Sequence, residues 1–225
     1  AIPSLLFGVL LYIVLGRREK AATPVSTVAG KPEAECDRID WLRMATLLVL
    51  TGTTAAIIQC VVAFIPLYLV DAYGYEEHNA AFAISLFYST GLWAAVAGGH
   101  LSDRIGRVRV VVLFGLLSGP ALALLHLSGS AIMVLGLMFF LGIALYARAP
   151  ASESYVVANT PIAKRSSVLG IYYFGSQEGA GVLAPLFGRL VDWHGFGTAF
   201  TAVGLGLLTV AILCSVILLR GSGAD

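Results

Sequence analysis

The sequence predicts an all-α polytopic membrane protein, and three observations carry that prediction. Hydrophobic residues make up 58% of the 225 residues and charged ones only 12%, with a mean hydropathy of +0.88. A soluble domain of this length needs about a quarter of its residues charged to cover its surface. Apolar stretches recur along the chain at lengths close to the ~20 residues that a helix needs to cross hydrocarbon. The Lys and Arg residues also collect in alternate loops, as they do in multi-spanning proteins.

The apolar segments can be taken in order. Segment A, Ala1–Gly16, is too short at about 16 residues to span and starts abruptly, so it reads as the end of a helix that begins upstream. Arg17–Trp41 is polar, holds Pro24, Gly30 and Pro32, shows no sustained period and reads as a flexible linker. B runs from about Leu42 to Val70, C is Ala80–Gly99, D is Val110–Leu127, E is Ala131–Pro150, F is Ser167–Leu190 and G is Thr198–Leu219. Asp40, Asn79, Ser130 and Ser166 stand before B, C, E and F and are good N-cap types. The expected domains are therefore the end of one helix at 1–16, a linker at 17–41 and a six-helix bundle at 42–225.

Orientation follows from charge. With the A–B linker on the cytoplasmic side, alternation places the C–D loop, the E–F loop and the carboxyl-terminal tail there too. Of the 14 Lys and Arg residues, all but Arg189 then fall on that side or, like Arg148, near it. This is a strong positive-inside bias, and the expected location is the plasma (inner) membrane. Asp71, Glu76, Glu77 and Asp192 mark the outer loops.

Other classes are disfavoured. The net charge is +1 and no basic tract is interleaved with aromatics, so nucleic acid is not an expected partner. Cys36, Cys60 and Cys214 are odd in number and widely spaced, and no His pair has metal-ligand spacing, so neither a disulfide frame nor a metal or other cofactor is expected. There is no phosphate-binding G-x-x-x-x-G-K-[ST] loop. The opening segment ends in charge, unlike a cleavable signal peptide.

The C–D loop is more ordered than orientation requires. In "GGHLSDRIGRVRV" the residues Gly99, Leu101, Asp103, Arg104, Gly106, Arg107 and Arg109 keep a fixed pattern. This resembles the G-x-L-x-D-R-x-G-R-[RK] signature of the major facilitator superfamily of secondary transporters. That signature lies on the cytoplasmic side between the second and third helices of a six-helix half, where C and D stand here. Val108 departs from the usual basic residue, a part Arg109 can take. A second stretch, "GVLAPLFGRLVDWHGFGTAF", is also similar to the family but does not distinguish its two halves. The short leading segment favours the second half over a first half with an extra helix. By this resemblance Asp103 and Arg104 belong to a cytoplasmic latch against a missing amino-terminal half. The residues themselves allow a plainer reading, a solvated orienting loop. Gly98 and Gly99 suit close helix approach, Gly106 suits a tight turn, and Asp103 suits a neighbouring helix N-terminus.

Candidates for the transport pathway come from polar groups at membrane depth, where a charge costs about 3 kcal/mol. Glu178, 12 residues past Ser166, lies about 18 Å into its helix. Tyr172, Tyr173 and Gln177 are its neighbours, and Ser176, Ala180, Ala184 and Gly188 form a small-residue row. Glu178 is expected to couple proton movement or to meet a cationic substrate; the competing reading is a structural glutamate at the interface with the other half. Gln59 in B, above Thr51, Thr53 and Thr54, together with Tyr88 and Trp93 in C and Tyr146 in E, are further candidates, for which helix packing or interface anchoring is an equal alternative. By resemblance B, C, E and F contribute to a central cavity and D and G are peripheral. Arg148 and Glu153, flanking Pro150, are read as snorkelling groups or a local gate pair rather than as a binding site.

The expected function is a secondary transporter of a small solute working by alternating access, driven by protons, with export among the directions it allows. A seven-helix receptor leaves the charged loop unexplained, and a retinal pump lacks a mid-helix lysine, since Lys20, Lys31 and Lys164 are all in loops. An intramembrane enzyme lacks paired acids or a nucleophile–base pattern at depth.

Overall fold

The computed structural model describes residues 41–220, and every element in that range is an α-helix. The expected helix end at 1–16 and the linker as far as residue 40 lie outside the described residues. Helix α1 spans Trp41–Tyr73, α2 Glu77–Ser89, α3 Gly91–Ile105, α4 Arg107–Leu124, α5 Ala131–Ala158 and α6 Ile162–Arg220. Five rods are long and apolar enough to cross a membrane, with α2 and α3 together forming one of them, Glu77–Ile105. The two helices of that rod join at Thr90, which is buried and turns its hydroxyl onto the Phe87 carbonyl at 2.7 Å.

Helix α6 is two crossings. Its 59 residues would extend about 88 Å if straight, roughly three times the hydrocarbon thickness. Gly195 interrupts it at φ 76°, ψ 166°, a conformation open to glycine. The chain folds back there: Phe187 and Phe200 meet with ring centroids 5.8 Å apart. Val168 near one end shares a core cluster with Ala211, Cys214 and Leu218 near the other. We call the two arms α6a (162–194) and α6b (196–220). Segments B to G thus become six rods.

Boundaries shift from expectation at several helix ends; α3 runs past Gly99 to Ile105, and α4 covers Arg107–Leu124 in place of Val110–Leu127. Helix α2 starts at Glu77, ahead of Asn79. Ser166 lies inside α6, which starts just after Pro161. Helix α5 continues through Pro150 to Ala158, adding two turns to segment E. Proline is tolerated there because neighbouring helices and side chains meet the freed backbone groups. Ser130 does cap α5, accepting from the Met133 N–H at 3.4 Å.

The alternation of directions can be checked from close contacts. Gly52, Ala56 and Phe64 of α1 meet Gly175, Gly179 and Gly188 of α6a in rising order, so these helices run parallel. Gly119 and Ala123 of α4 meet Leu208 and Gly204 of α6b in falling order, so these run antiparallel. Thr90 and Gly98 of the second rod meet Gly142 and Ala147 of α5 in rising order. All three relations agree with six successive crossings.

The core has two layers. One gathers Ile58, Ile65, Phe87, Leu122, Met138 and Phe200 around α1. The other gathers Met44, Leu47, Leu50, Val111, Ala151 and Leu218. Gly98 is a contact point where the second rod lies on the backbone of Ala147, leaving no space for a Cβ. Gly99, expected to share that role, has open space where its Cβ would be. The reason is rotation: successive helix residues differ by about 100°, so only one of an adjacent pair faces the partner.

Candidate functional site

Four of the rods leave a polar cavity of about 350 Å³ between them. Its wall takes Gln59 from α1, Tyr88 from α2, Tyr146, Arg148 and Glu153 from α5, and Tyr172, Tyr173, Ser176 and Gln177 from α6a. No residue of α4 or α6b lines it. The structure thus brings together Gln59, Tyr88, Tyr146, Tyr172 and Gln177, which the sequence offered as separate candidates. The Gln59 amide donates to Gln177 Oε1 at 3.4 Å, and the Tyr88 hydroxyl donates to Gln59 Oε1 at 3.4 Å, long bonds that tie three rods into one polar belt. Tyr146 lies over Gly91, where a Cβ would meet its ring at 3.2 Å, and its ring centroid is 6.1 Å from that of Phe87.

The threonines below Gln59 are not part of this belt. Thr51, Thr53 and Thr54 each turn the hydroxyl back onto a carbonyl four residues earlier, at 2.8, 2.6 and 2.6 Å. This is the usual way a helix satisfies a threonine in apolar surroundings.

Glu178 stands apart from the cavity wall. It is exposed on α6a, one residue beyond Gln177 and so rotated about 100° from it. Its stripe also carries Phe174, Val182 and Leu186, all exposed. Trp93, another candidate, is also exposed, with its ring centroid 6.0 Å from that of Phe139.

Arg148 corrects an expectation. A snorkelling arginine holds its charged head in water, but this one is only 3% exposed. It donates from one terminal nitrogen to the Thr51 carbonyl at 2.9 Å, and its Nε has no acceptor. Tyr172 lies beside it, together with Ser152, while Tyr173 lies beside Glu153. The sequence carried a usable sign. Leu145, Arg148, Ala149 and Glu153 of the wall, with buried Ser152, keep the three- and four-residue spacing of one helix face.

Most of the expected charged loop is helical: one helix runs on to Ile105 and the next starts at Arg107, so the connection is Gly106 alone. Gly106 joins α3 to α4 at φ 98°, ψ 141°, where an L-residue is strained. Arg107 donates to the Ser154 carbonyl at 3.1 Å and so ties the loop to the end of α5. Val108 packs onto the second core layer, which accounts for an apolar residue where the signature has a basic one. Arg109 reaches the Ile105 carbonyl at the limiting distance of 3.5 Å. Asp103 and Arg104 are exposed.

Comparison with known proteins agrees with this architecture. Residues 47–224 match the Major Facilitator Superfamily. The human voltage-gated purine nucleotide uniporter SLC17A9 is 26% identical over 172 residues, covering 71% of this chain and 39% of that protein. The multidrug resistance protein MdtG of Escherichia fergusonii is 30% identical over 195 residues, covering 84% of this chain and 46% of that protein. This chain therefore spans less than half the length of these relatives. A crystal structure of a mutant of the peptide transporter POT in complex with alafosfalin superposes with a TM-score of 0.68 at 20% identity, covering 86% of this chain and 40% of that one. At that identity the likeness speaks for the fold. With the family match extending over most of the chain, on six rods and the charged turn between the second and third, this integral multi-pass membrane protein belongs to the Major Facilitator Superfamily.

Proposed function

We propose that residues 42–225 are the carboxyl-terminal half of a secondary transporter that moves a small solute by alternating access against an amino-terminal half. The observation that carries this reading is the polar cavity, which draws on α1, α2, α5 and α6a and leaves α4 and α6b as peripheral packing. A polar hollow in a bundle otherwise apolar is where a solute can shed water without losing hydrogen-bond partners. The relatives' names refer to transport of unlike solutes, a purine nucleotide and multiple drugs, so they support the class of activity and leave the solute open.

In this reading the charged stretch from Gly99 to Arg109, helical on both sides of Gly106, faces the cytoplasm with the linker and the carboxyl terminus, in the plasma membrane. Asp103 and Arg104, exposed on this half, latch onto the other in one access state. Glu178, exposed at mid-depth on α6a, faces the partner half and carries the coupling proton, with export as one direction the cycle permits.

The test of alternating access needs no identified solute. In the intact transporter with Cys36, Cys60 and Cys214 replaced by serine, Gln177→Cys should react with a membrane-impermeant maleimide from both faces of the membrane. Labelling from one face alone would reject alternating access through this cavity. For the coupling role, Glu178→Gln should abolish solute-evoked proton movement in proteoliposomes while leaving solute counterflow intact; retained proton movement would remove Glu178 from the pathway.

A further inference from the structure

Arg148 has a chemistry that the reading above does not use. Among the described residues it is the buried basic side chain, and its one hydrogen bond goes to a neutral backbone carbonyl. Nε is a second donor, buried and without an acceptor. An ion pair joins His78 and Glu76, far along the chain, and none of the described carboxylates lies within ion-pair distance of Arg148. A charge removed from water with neither a counter-ion nor a full set of hydrogen bonds is unfavourable, and at membrane depth such a group marks a solute or ion site.

The surroundings indicate what would complete it. Arg148 lines the polar cavity, whose other walls give mainly neutral polar groups: the hydroxyls of Tyr88, Tyr146 and Tyr172 and the amides of Gln59 and Gln177. Glu153, the acidic group of the wall, lies five residues farther along α5, half-buried and near both Tyr172 and Tyr173, without coming within ion-pair distance of Arg148. A guanidinium presents donors in a planar fork that matches two oxygens of one acid group. The tyrosine rings add flat apolar faces suited to a planar solute body.

We infer that Arg148 anchors an oxyanion of the transported solute, a carboxylate, phosphonate or sulfonate on a small and largely planar molecule. The inference rests on reading the cavity as part of the solute pathway. The bond from one terminal nitrogen to the Thr51 carbonyl holds the guanidinium in place, and the anion takes donors that this bond leaves free on the cavity side.

The experiment compares matched probes on the purified intact transporter by thermal shift and titration. Benzoate, phenylphosphonate and benzenesulfonate share a ring and differ in the acid; benzamide, benzyl alcohol and benzylamine are the neutral and cationic counterparts. At least one oxyanion should raise the melting temperature in a saturable manner, while the counterparts should not. Arg148→Gln should weaken that binding by about tenfold or more. Arg148→Lys, which keeps the charge and loses the fork, should fall between. Stabilisation by the neutral or cationic probes alone, by none of the six, or equally in wild type and Arg148→Gln overturns the assignment. The comparison within the wild type stands even where a variant does not fold. Two-sided labelling at Gln177→Cys together with a failed oxyanion test would leave the transporter reading standing and remove only the solute class; one-sided labelling would remove the pathway itself.

Discussion

The seam between α4 and α6b and the cavity between α1, α2, α5 and α6a lie in the same apolar bundle and are built in opposite ways. At the seam, backbones touch. A Cβ at Gly204 would lie 2.6 Å from the Ala123 nitrogen and 2.8 Å from the Gly119 carbonyl oxygen, and one at Gly119 would lie 2.8 Å from the Leu208 Cβ. In the cavity, helices are held apart by side chains whose polar ends meet at 3.4 Å. The difference shows how a membrane bundle divides labour. Where lipid and protein interior are equally apolar, small residues bring helices together by dispersion and close fit. Bulk and polarity keep them separate around the cavity.

Variants can break this contrast, and their expected effects on stability run from large to negligible. Gly98→Leu should be the most damaging, because the side chain would enter the Ala147 backbone; loss of the monodisperse species in size-exclusion chromatography is the expected readout. Gly204→Val at the seam should destabilise by about 1–3 kcal/mol through overpacking, seen as a lower melting temperature in detergent. A wild-type melting temperature in Gly204→Val would mean the seam yields and the contrast is overstated. Gly106→Ala should cost about 1–3 kcal/mol for strain at positive φ, without touching the core. Lys164→Gln, which removes the cation from over the Trp41 ring 5.9 Å away, should cost about 0.5 kcal/mol. Gln59→Leu should change stability by less than about 0.5 kcal/mol and yet impair transport, which would sharpen the contrast by separating function from packing.

Much of the fold was legible in advance, for reasons that can be named. Hydrophobic length located α1 and α4–α6. Gly106 in a charged, short connection indicated the turn that its φ of 98° shows. Segment E was ended too early because Pro150 reads as a stop in water, whereas α5 carries it in mid-course. The candidates of the site were legible one by one. Their convergence was not, since Gln59, Tyr88, Tyr146 and Gln177 are distributed over four helices. Glu178 looked central by depth alone, and depth says nothing about rotation about the helix axis. Arg148 looked peripheral because an arginine near a helix end reads the same whether it snorkels or is buried.

By itself the sequence determined where the apolar rods of residues 41–220 lie, where they turn and which connections carry positive charge, because those properties depend on length, composition and local backbone chemistry along one dimension. Only the tertiary structure decided which face of each helix is inside. In a helix surrounded by hydrocarbon on one side and by other apolar helices on the other, the amphipathic stripe that betrays an inner face in water is largely absent. Facing is then set by the fit of small residues such as Gly98 and Gly204 against neighbours distant in the chain. That fit rotates Arg148 into the cavity wall and Glu178 out of it.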